Sequence, residues 1–292
     1  NYSPSETKFK IWAPLADKIN LKIFENEDKN ADSRVYEMEK REKGTWDVTI
    51  NEDLEGNYYI YNIFYGNNKF ETAGPNARAL GTDSKLGLII NFEKTNPPGW
   101  EEDDRVVLNS PVDAVIYETH VRDFSISRHS GIKNRGEFLA FTESGTTNSR
   151  GFKTGIDPLK ELGITHVHLM PVFDFATVGD NEKDDYNWGY DPLYYNVPEG
   201  SYATDPSDNS RIIEFKKMVK SLHDKNIGVI MDVVYNHTYY TEKSPFEITA
   251  PDYFYRQDSR GNCVNGSGCG NEFATEKPMA LKFIIDSVKY WT

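Results

Sequence analysis

The segment from Gly228 to His237 restricts the fold of this chain most strongly; it reads Gly-Val-Ile-Met-Asp-Val-Val-Tyr-Asn-His. Residues 229–234 are mostly apolar and rich in β-branched side chains. A short apolar run of this kind is typical of a strand buried on both faces of a parallel sheet. Polar residues at the carboxyl end of such a strand are where α/β folds place their functional groups. Asp232, Asn236 and His237 are therefore candidate site residues; a core aspartate and a surface histidine are the alternative.

The pattern around this segment predicts alternating strands and helices: strands at 114–118, 167–172 and 228–234, and helices at 156–162, 212–222 and 280–291. Alternation of this kind gives a parallel sheet with right-handed crossovers. The connections at 173–209 and 235–277 are long, and long loops after strands build the active sites of (β/α)8 barrels. Residues 104–292 are thus predicted to form the first part, about three βα units, of a (β/α)8 TIM barrel.

Residues 1–103 show a different pattern, with short alternating strands predicted at 9–12, 19–24, 46–50 and 57–65. Short strands separated by turn residues are typical of a β-sandwich. Trp12, Trp46 and Trp100 are candidates for a ligand platform, although tryptophan more often packs in a core or at a sheet edge. The Pro- and Gly-containing run at 96–100 and the acidic residues 101–104 break both patterns. They predict a boundary between a module at 1–103 and the barrel part at 104–292.

The composition excludes several classes of partner. The chain has 292 residues, a formal net charge of -13 and a pI near 5.0, which argues against binding nucleic acid or an anionic membrane surface. Apolar stretches fall well short of the roughly 20 residues that a membrane span requires. A neutral ligand fits this charge, and the 18 Tyr, 16 Phe and 5 Trp offer many flat apolar faces for one.

Two cysteines and the two chain ends complete the sequence-level picture. Cys263 and Cys269 lack the partners of a zinc site; they either close a small disulfide loop within 262–270 or remain free thiols. The compartment, extracellular or cytoplasmic, is therefore left open. The chain begins without Met, and the helix at 280–291 has no capping residue after it, so we expect a piece of a longer protein, trimmed at both ends.

The loop after the second barrel strand contains the heptapeptide Tyr186-Asn187-Trp188-Gly189-Tyr190-Asp191-Pro192. Two tyrosines and a tryptophan within five residues are unusual for a solvated loop, and an exposed apolar patch on a loop usually marks a binding site. Gly189 lets the backbone bend so that neighbouring rings can face a cleft. A small core beneath a long loop is the alternative interpretation.

Four segments carry a resemblance to a known family. The heptapeptide at 186–192 resembles the signature of type I pullulanases, and 265–272 is similar to another pullulanase loop. Residues 232–237 resemble the first shared motif of the α-amylase superfamily, glycoside hydrolase family thirteen. Residues 9–19 resemble the start of a carbohydrate-binding family forty-eight module. The resemblance implies a debranching hydrolase that cleaves α-1,6-glucosidic linkages of pullulan, amylopectin and related α-glucans with retention.

The resemblance also implies roles for individual side chains in binding substrate. Tyr190 would stack under the sugar ring at the cleavage site, and His237 would hydrogen-bond the primary hydroxyl of that sugar. Trp188 and Asp191 would line the cleft, and Asn271 would contribute to a neighbouring subsite. A neutral polyol requires a flat apolar face and fixed polar partners of this kind.

Two residues are implied to support the site. Asp232 would pair with an arginine on a later strand, and Asn236 would hold its loop. No cofactor is required; calcium is implied only because the counterpart of Asn236 binds it in some α-amylases.

The two catalytic carboxylates are expected beyond Thr292. A retaining glycosidase needs a nucleophile and an acid/base about 5–5.5 Å apart, and the family places them after the fourth and fifth strands. Residues 1–292 alone are therefore expected not to turn over, and the other strands would come from the rest of the protein, on the same or a companion chain. The alternatives are a non-catalytic α-glucan-binding protein, or an isoamylase or branching enzyme of the same superfamily.

Overall fold

The computed structural model describes residues 1–183 and 185–292. The strands of these residues are β1 (Tyr2–Ser3), β2 (Glu6–Trp12), β3 (Lys18–Phe24), β4 (Arg34–Glu37), β5 (Glu39–Lys40), β6 (Thr45–Ile50), β7 (Tyr58–Tyr65), β8 (Asn68–Thr72), β9 (Gly87–Leu88), β10 (Ile116–Thr119), β11 (His166–Leu169), β12 (Phe173–Phe175), β13 (Pro192–Pro198) and β14 (Gly228–Met231). The α-helices are α1 (Val121–Ser125), α2 (Asp157–Leu162), α3 (Ser210–His223), α4 (Pro245–Thr249) and α5 (Pro278–Trp291).

The first nine strands form two antiparallel sheets that pack face to face. One has the order β1-β2-β6-β5; the other has the order β4-β3-β7-β8, with β9 also paired to β7. Alternate residues of β2, β3, β6 and β7 point between the sheets, as the period-two pattern predicts. The core that they form contains Phe9, Ile11, Ile19, Leu21, Ile23, Trp46, Ile50, Tyr61 and Ile63. The predicted β-sandwich is confirmed.

The three tryptophans assigned to this half as candidate platforms are engaged in packing. Trp46 is buried and donates its indole N–H to the carbonyl of Ala13 at 3.0 Å. Trp12 packs edge-on against the ring of Tyr253, with 4.9 Å between ring centroids. The ammonium of Lys216 lies 5.3 Å from the ring centre of Trp100. All three are thus used within the fold.

Strands β10, β11 and β14 form a parallel sheet in that order. Val167 and Leu169 of β11 pack against the core shared with α2 and α3, so His166 and His168 face the opposite side, which is the barrel interior. Helix α2 ends at Gly163, which has a φ of 74° and caps the helix in the left-handed conformation. The predicted succession of about three βα units of a (β/α)8 barrel is confirmed.

Helix α5 buries only part of its apolar surface. Leu281 and Val288 of this helix are 49% and 44% exposed, whereas Ile284 packs against the aromatic cluster below. The buried residues are Ala280, Phe283 and Ser287, and Phe283 joins an aromatic cluster with Tyr195 and Phe246.

The sandwich and the barrel part meet in a polar junction. Ser84 donates its hydroxyl to Asp174 at 2.5 Å, and Asp83 and Asp180 exchange backbone-to-carboxylate hydrogen bonds at 2.7 and 3.1 Å. The predicted linker lies against α3, where Lys216 donates to the side-chain oxygen of Asn96 at 2.5 Å. The boundary near residue 103 itself stays a prediction. None of the helices in the described ranges is long and apolar enough to cross a membrane.

Candidate functional site

The loop at 186–192 is held in shape by its own polar side chains. Asn187 donates its amide to Asp191 Oδ1 at 2.7 Å and to Thr177 Oγ1 at 2.6 Å. Asp191 Oδ2 accepts the backbone N–H of Thr177 at 3.0 Å, and the backbone N–H of Gly189 bonds to Asn187 Oδ1 at 2.7 Å. Asp191 therefore braces the loop from within; its predicted position lining a cleft stays a prediction.

Gly189 is required by the backbone at this point. Its φ is 87°, a left-handed conformation that residues with a Cβ rarely adopt. A Cβ there would lie 2.8 Å from the carbonyl oxygen of Pro171 and 2.9 Å from its Cβ. The loop backbone thus passes directly against the end of the second barrel strand, which fixes the loop over the sheet.

His120, which follows strand β10, supports the same loop from below. Its Nε2 lies 2.8 Å from the carbonyl of Asn187 and 2.9 Å from the hydroxyl of Tyr202, while Nδ1 accepts the backbone N–H of Asp123 at 3.4 Å. A carbonyl only accepts, so Nε2 carries the proton and the ring is neutral. Burial lowers the pKa of His120, which favours that neutral form. No role for His120 was predicted from the sequence.

Tyr190, Asp232 and His237 meet above the sheet. The hydroxyl of Tyr190 donates to Asp232 Oδ2 at 2.8 Å, and His237 Nε2 donates to the carbonyl of Tyr190 at 2.9 Å. Burial first, then the Asp232 carboxylate and the charge of Glu118, raise the pKa of Tyr190 to about 12. The phenol therefore stays protonated and can donate. Segments 186–192 and 232–237, far apart in sequence, form one site.

His237 and Asn236 are occupied within this loop arrangement. His237 is buried, and its Nδ1 lies 3.0 Å from Asn236 Oδ1. With both ring nitrogens facing protein atoms, the histidine holds the backbone of Tyr190 in place. Its predicted bond to a sugar hydroxyl stays a prediction.

Three aromatic rings of the heptapeptide are open to solvent. Trp188 is 60% exposed, Tyr186 is 48% exposed and Tyr190 is 37% exposed. Their loop is braced, so the rings form a preorganised apolar surface and not a small core. A cleft of about 1560 Å³ lies elsewhere, between β2 and α5. It does not include the heptapeptide. We place the candidate site at the aromatic loop because its rings are exposed and Tyr190 contacts Asp232.

Asn271 does not lie where a sugar could reach it. It is 1% exposed, and its amide bonds twice to the backbone of Thr238, accepting the N–H at 3.1 Å and donating to the carbonyl at 2.7 Å. The side chain thus fixes the segment that follows His237. The resemblance implied a subsite role for Asn271, but a sequence does not show which polar groups are satisfied by the backbone. Cys263 and Cys269, in the same region, are free thiols.

Within the described residues, one group of three acidic side chains has metal-ligand spacing: Asp174, Asp180 and Glu199, all buried, with ligand atoms within 4.8 Å of one another. Arg211 already contributes positive charge there, since its guanidinium bonds Asp180 at 2.9 Å and lies 3.6 Å from Asp174. Burial raises the pKa of Asp174 to about 7 and that of Glu199 well above its usual range. Asp174 and Asp180 lie at the junction with the sandwich. The group does not include Asn236, the residue for which the resemblance implied calcium.

The sequence matches two described families. Residues 115–276 match the alpha amylase catalytic domain, and residues 1–77 match carbohydrate-binding module 48, the isoamylase N-terminal domain. The chain belongs to the α-amylase family. The α-amylase family segment begins just before β10 and includes both the aromatic loop and the motif at 232–237. The resemblances to this superfamily and to a family forty-eight module are confirmed.

Members of the α-amylase family that are similar to this chain include pullulanases. A pullulanase of Bacillus subtilis (strain 168) is 44% identical over 293 residues, which cover 99% of this chain and 40% of that protein. The structure of a pullulanase from Bacillus acidopullulyticus is 49% identical with a TM-score of 0.96, covering 100% of this chain and 36% of that one. A Paenibacillus barengoltzii pullulanase, solved in complex with maltohexaose and alpha-cyclodextrin, is 42% identical with a TM-score of 0.96, covering 100% and 46%. The chain spans less than half the length of these relatives.

Proposed function

We propose that the protein to which these residues belong is a debranching hydrolase that cleaves α-1,6-glucosidic linkages of pullulan, amylopectin and related α-glucans with retention. The convergence of Tyr190, Asp232 and His237 beside the exposed aromatic loop is the observation that carries this proposal. The similarity to pullulanases along the whole chain supports it.

The geometry explains how these side chains would act on a neutral sugar. The ring of Tyr190 offers an apolar face, and its hydroxyl is fixed by Asp232, so the face cannot turn away. Trp188 extends the apolar surface along the loop. Neither of these rings carries charge, which suits a polyol that must be held while its ring flattens towards a cation-like transition state.

The chemical step itself requires a nucleophilic carboxylate and a carboxylic acid about 5–5.5 Å apart, and no cofactor. In the proposed protein these groups come from strands that follow residue 292. Asp232 would orient the centre through the hydrogen bond that it accepts from the hydroxyl of Tyr190. A calcium ion near Asn236 stays a prediction from the resemblance.

We propose that the ligand is an α-glucan. The related Paenibacillus barengoltzii enzyme was solved with maltohexaose and alpha-cyclodextrin, both of which are α-linked glucose polymers or rings. The net charge of -13 is compatible with such a neutral ligand.

The test uses the full-length protein. We expect it to release reducing sugar from pullulan but not from a linear α-1,4-glucan of similar mass, and the first product seen by proton NMR to keep the α-configuration. A protein that is retained by pullulan in affinity electrophoresis yet releases no sugar would support the non-catalytic alternative. Release from the linear glucan at an equal rate would contradict the assignment of α-1,6 specificity.

A further inference from the structure

His120 connects the end of strand β10 to the aromatic loop. It follows Thr119, the last residue of β10, and it directly precedes helix α1. Its side chain is 5% exposed, and the contacts described below are made with other residues of this chain. Buried polar side chains in native proteins are hydrogen-bonded, so each contact of this imidazole indicates what the residue does.

The Nε2 atom of His120 lies within hydrogen-bond distance of two oxygen atoms. The carbonyl oxygen of Asn187 is 2.8 Å away, and the hydroxyl oxygen of Tyr202 is 2.9 Å away. On the other side of the ring, Nδ1 faces the backbone N–H of Asp123 in the first turn of α1, at the longer distance of 3.4 Å. A carbonyl only accepts and a backbone N–H only donates, so both sides of the ring require the tautomer with the proton on Nε2.

The ring of His120 also supports an aromatic side chain of the loop. Its centroid is 5.2 Å from the ring centroid of Tyr186, with 50° between the two ring planes. The guanidinium of Arg122 lies 5.6 Å from the centre of the same tyrosine ring. Tyr186 is 48% exposed, so its ring is packed against the protein while part of it stays open to solvent.

Asn187 transmits this constraint to the rest of the loop. Its backbone carbonyl contacts His120, while its side chain bonds the carboxylate of Asp191 and the backbone N–H of Gly189. Tyr190 lies between Gly189 and Asp191 in the sequence. A shift of Asn187 would therefore disturb the bonds on both sides of Tyr190.

We propose that His120 is a positioning residue for the aromatic loop in the hydrolysis proposed above, on which this inference rests. Its Nε2–H donates to the carbonyl of Asn187 and so fixes the backbone that carries Tyr186, Trp188 and Tyr190. Burial lowers the pKa of His120, and the role requires only a neutral donor. Loss of this donor would release the loop and misplace the rings on which the sugar is expected to stack.

A purely structural role for His120 predicts a different result. His120 is the N-cap residue of α1, so it could matter only because Nδ1 accepts the N–H of Asp123. Asparagine is among the best N-cap residues and can replace that acceptor, but its side chain is too short to reach the carbonyl of Asn187. Glutamine is longer and carries an amide N–H group that can take the place of Nε2–H. His120→Asn and His120→Gln therefore separate the cap from the loop contact.

The kinetic test compares these two variants in the full-length protein on pullulan, with melting curves to show that each is folded. We expect His120→Asn to lower kcat/KM by between about tenfold and a hundredfold, since small misplacements in an active site have effects of this size. We expect His120→Gln to keep most of the wild-type kcat/KM, because it keeps the donor. Equal rates for the two variants, or a more active His120→Asn, would overturn the inference.

Tyr202→Phe is the matched control. It removes the second oxygen atom near Nε2 and keeps the aromatic ring in the core. The donor then has the carbonyl of Asn187 as its acceptor, so we expect an unchanged kcat/KM. A loss as large as that of His120→Asn would assign the effect to the contact with Tyr202 and would overturn the inference.

Amide hydrogen exchange measures the loop without turnover. In the full-length protein, we expect peptides covering residues 186–192 to exchange faster in His120→Asn than in the wild type, and at the wild-type rate in Tyr202→Phe. Unchanged exchange in His120→Asn would overturn the inference. Faster exchange in Tyr202→Phe would do the same, and this comparison does not depend on whether the His120 variants fold. A wild type that leaves pullulan intact would refute the proposed hydrolysis, while the exchange result would still decide whether His120 holds the loop.

Discussion

At the scale of single residues, Tyr190 combines two roles: its ring offers an apolar face, and its hydroxyl donates to Asp232. Tyr190→Phe keeps the apolar face and removes the bond to Asp232, which we expect to reduce kcat/KM by about 1.5–3 kcal/mol, the range for hydrogen bonds to charged groups. Tyr190→Ala removes both and should cost more, on the order of 2–4 kcal/mol. Steady-state kinetics on pullulan with the full-length protein provides the measurement. Equal rates for Tyr190→Phe and wild type would show that the hydroxyl has no role.

His237 provides a second test at this scale, because its visible contact is with the backbone of Tyr190. His237→Ala should release that carbonyl and lower kcat more than it raises KM, by on the order of 2–4 kcal/mol in kcat/KM if the histidine also binds the sugar. Melting curves recorded alongside show whether the variant is folded. Normal kcat in a folded His237→Ala protein would remove this residue from the site.

At the scale of structural elements, the aromatic loop depends on one glycine. Gly189→Ala introduces left-handed strain of about 1–2 kcal/mol and a contact with Pro171, so we expect lower stability together with weaker activity on pullulan. Gly163→Ala is the matched control: Gly163 has a similar φ of 74°, but a Cβ there meets nothing within 4 Å. This variant should lose comparable stability, measured by thermal melting, and keep its kcat. Equal activity in the two variants would contradict a special role for the loop position.

At the scale of the whole molecule, the junction between sandwich and barrel should make stability depend on pH. Burial raises the pKa of Asp174 from an ordinary 3.8 to about 7, so the folded state binds its proton more tightly than the unfolded state does. The bound proton of Asp174 therefore stabilises the folded state at low pH, and this stabilisation is lost as the pH rises through about 7. The pKa of Glu199 is shifted in the same direction. Wild-type melting temperature should fall between about pH 4 and 8, and Asp174→Asn should make this fall smaller. The part that Asp174 contributes corresponds to a few kcal/mol, as an order of magnitude, in unfolding free energy. Parallel curves for the two proteins would contradict this.

The sequence by itself determined the elements whose signals are local. Period-two alternation identified β2 and β3, an apolar run identified β14, and Gly163 marked the end of α2, because each signal lies within a few residues of the structure that it specifies. The dense aromatic loop and the polar residues after β14 located the candidate site for the same reason. Strand ends were less well predicted: β11 stops at Leu169 and β14 at Met231, where the loops of the site begin.

Only the tertiary structure decided which polar groups face each other. His120 contacts the carbonyl of Asn187, and Asn271 hydrogen-bonds the backbone of Thr238. His168 lies near Asp232. In each case the partners are more than thirty residues apart in sequence. The same holds for α5, in which Phe283 is buried against Tyr195 and Phe246 while Leu281 stays partly exposed. Sequence periodicity reports the conformation of the local backbone. Whether a side chain is buried, and which group it contacts, depends on its neighbours in the folded chain. Those neighbours are set by strand register and helix packing across the whole chain.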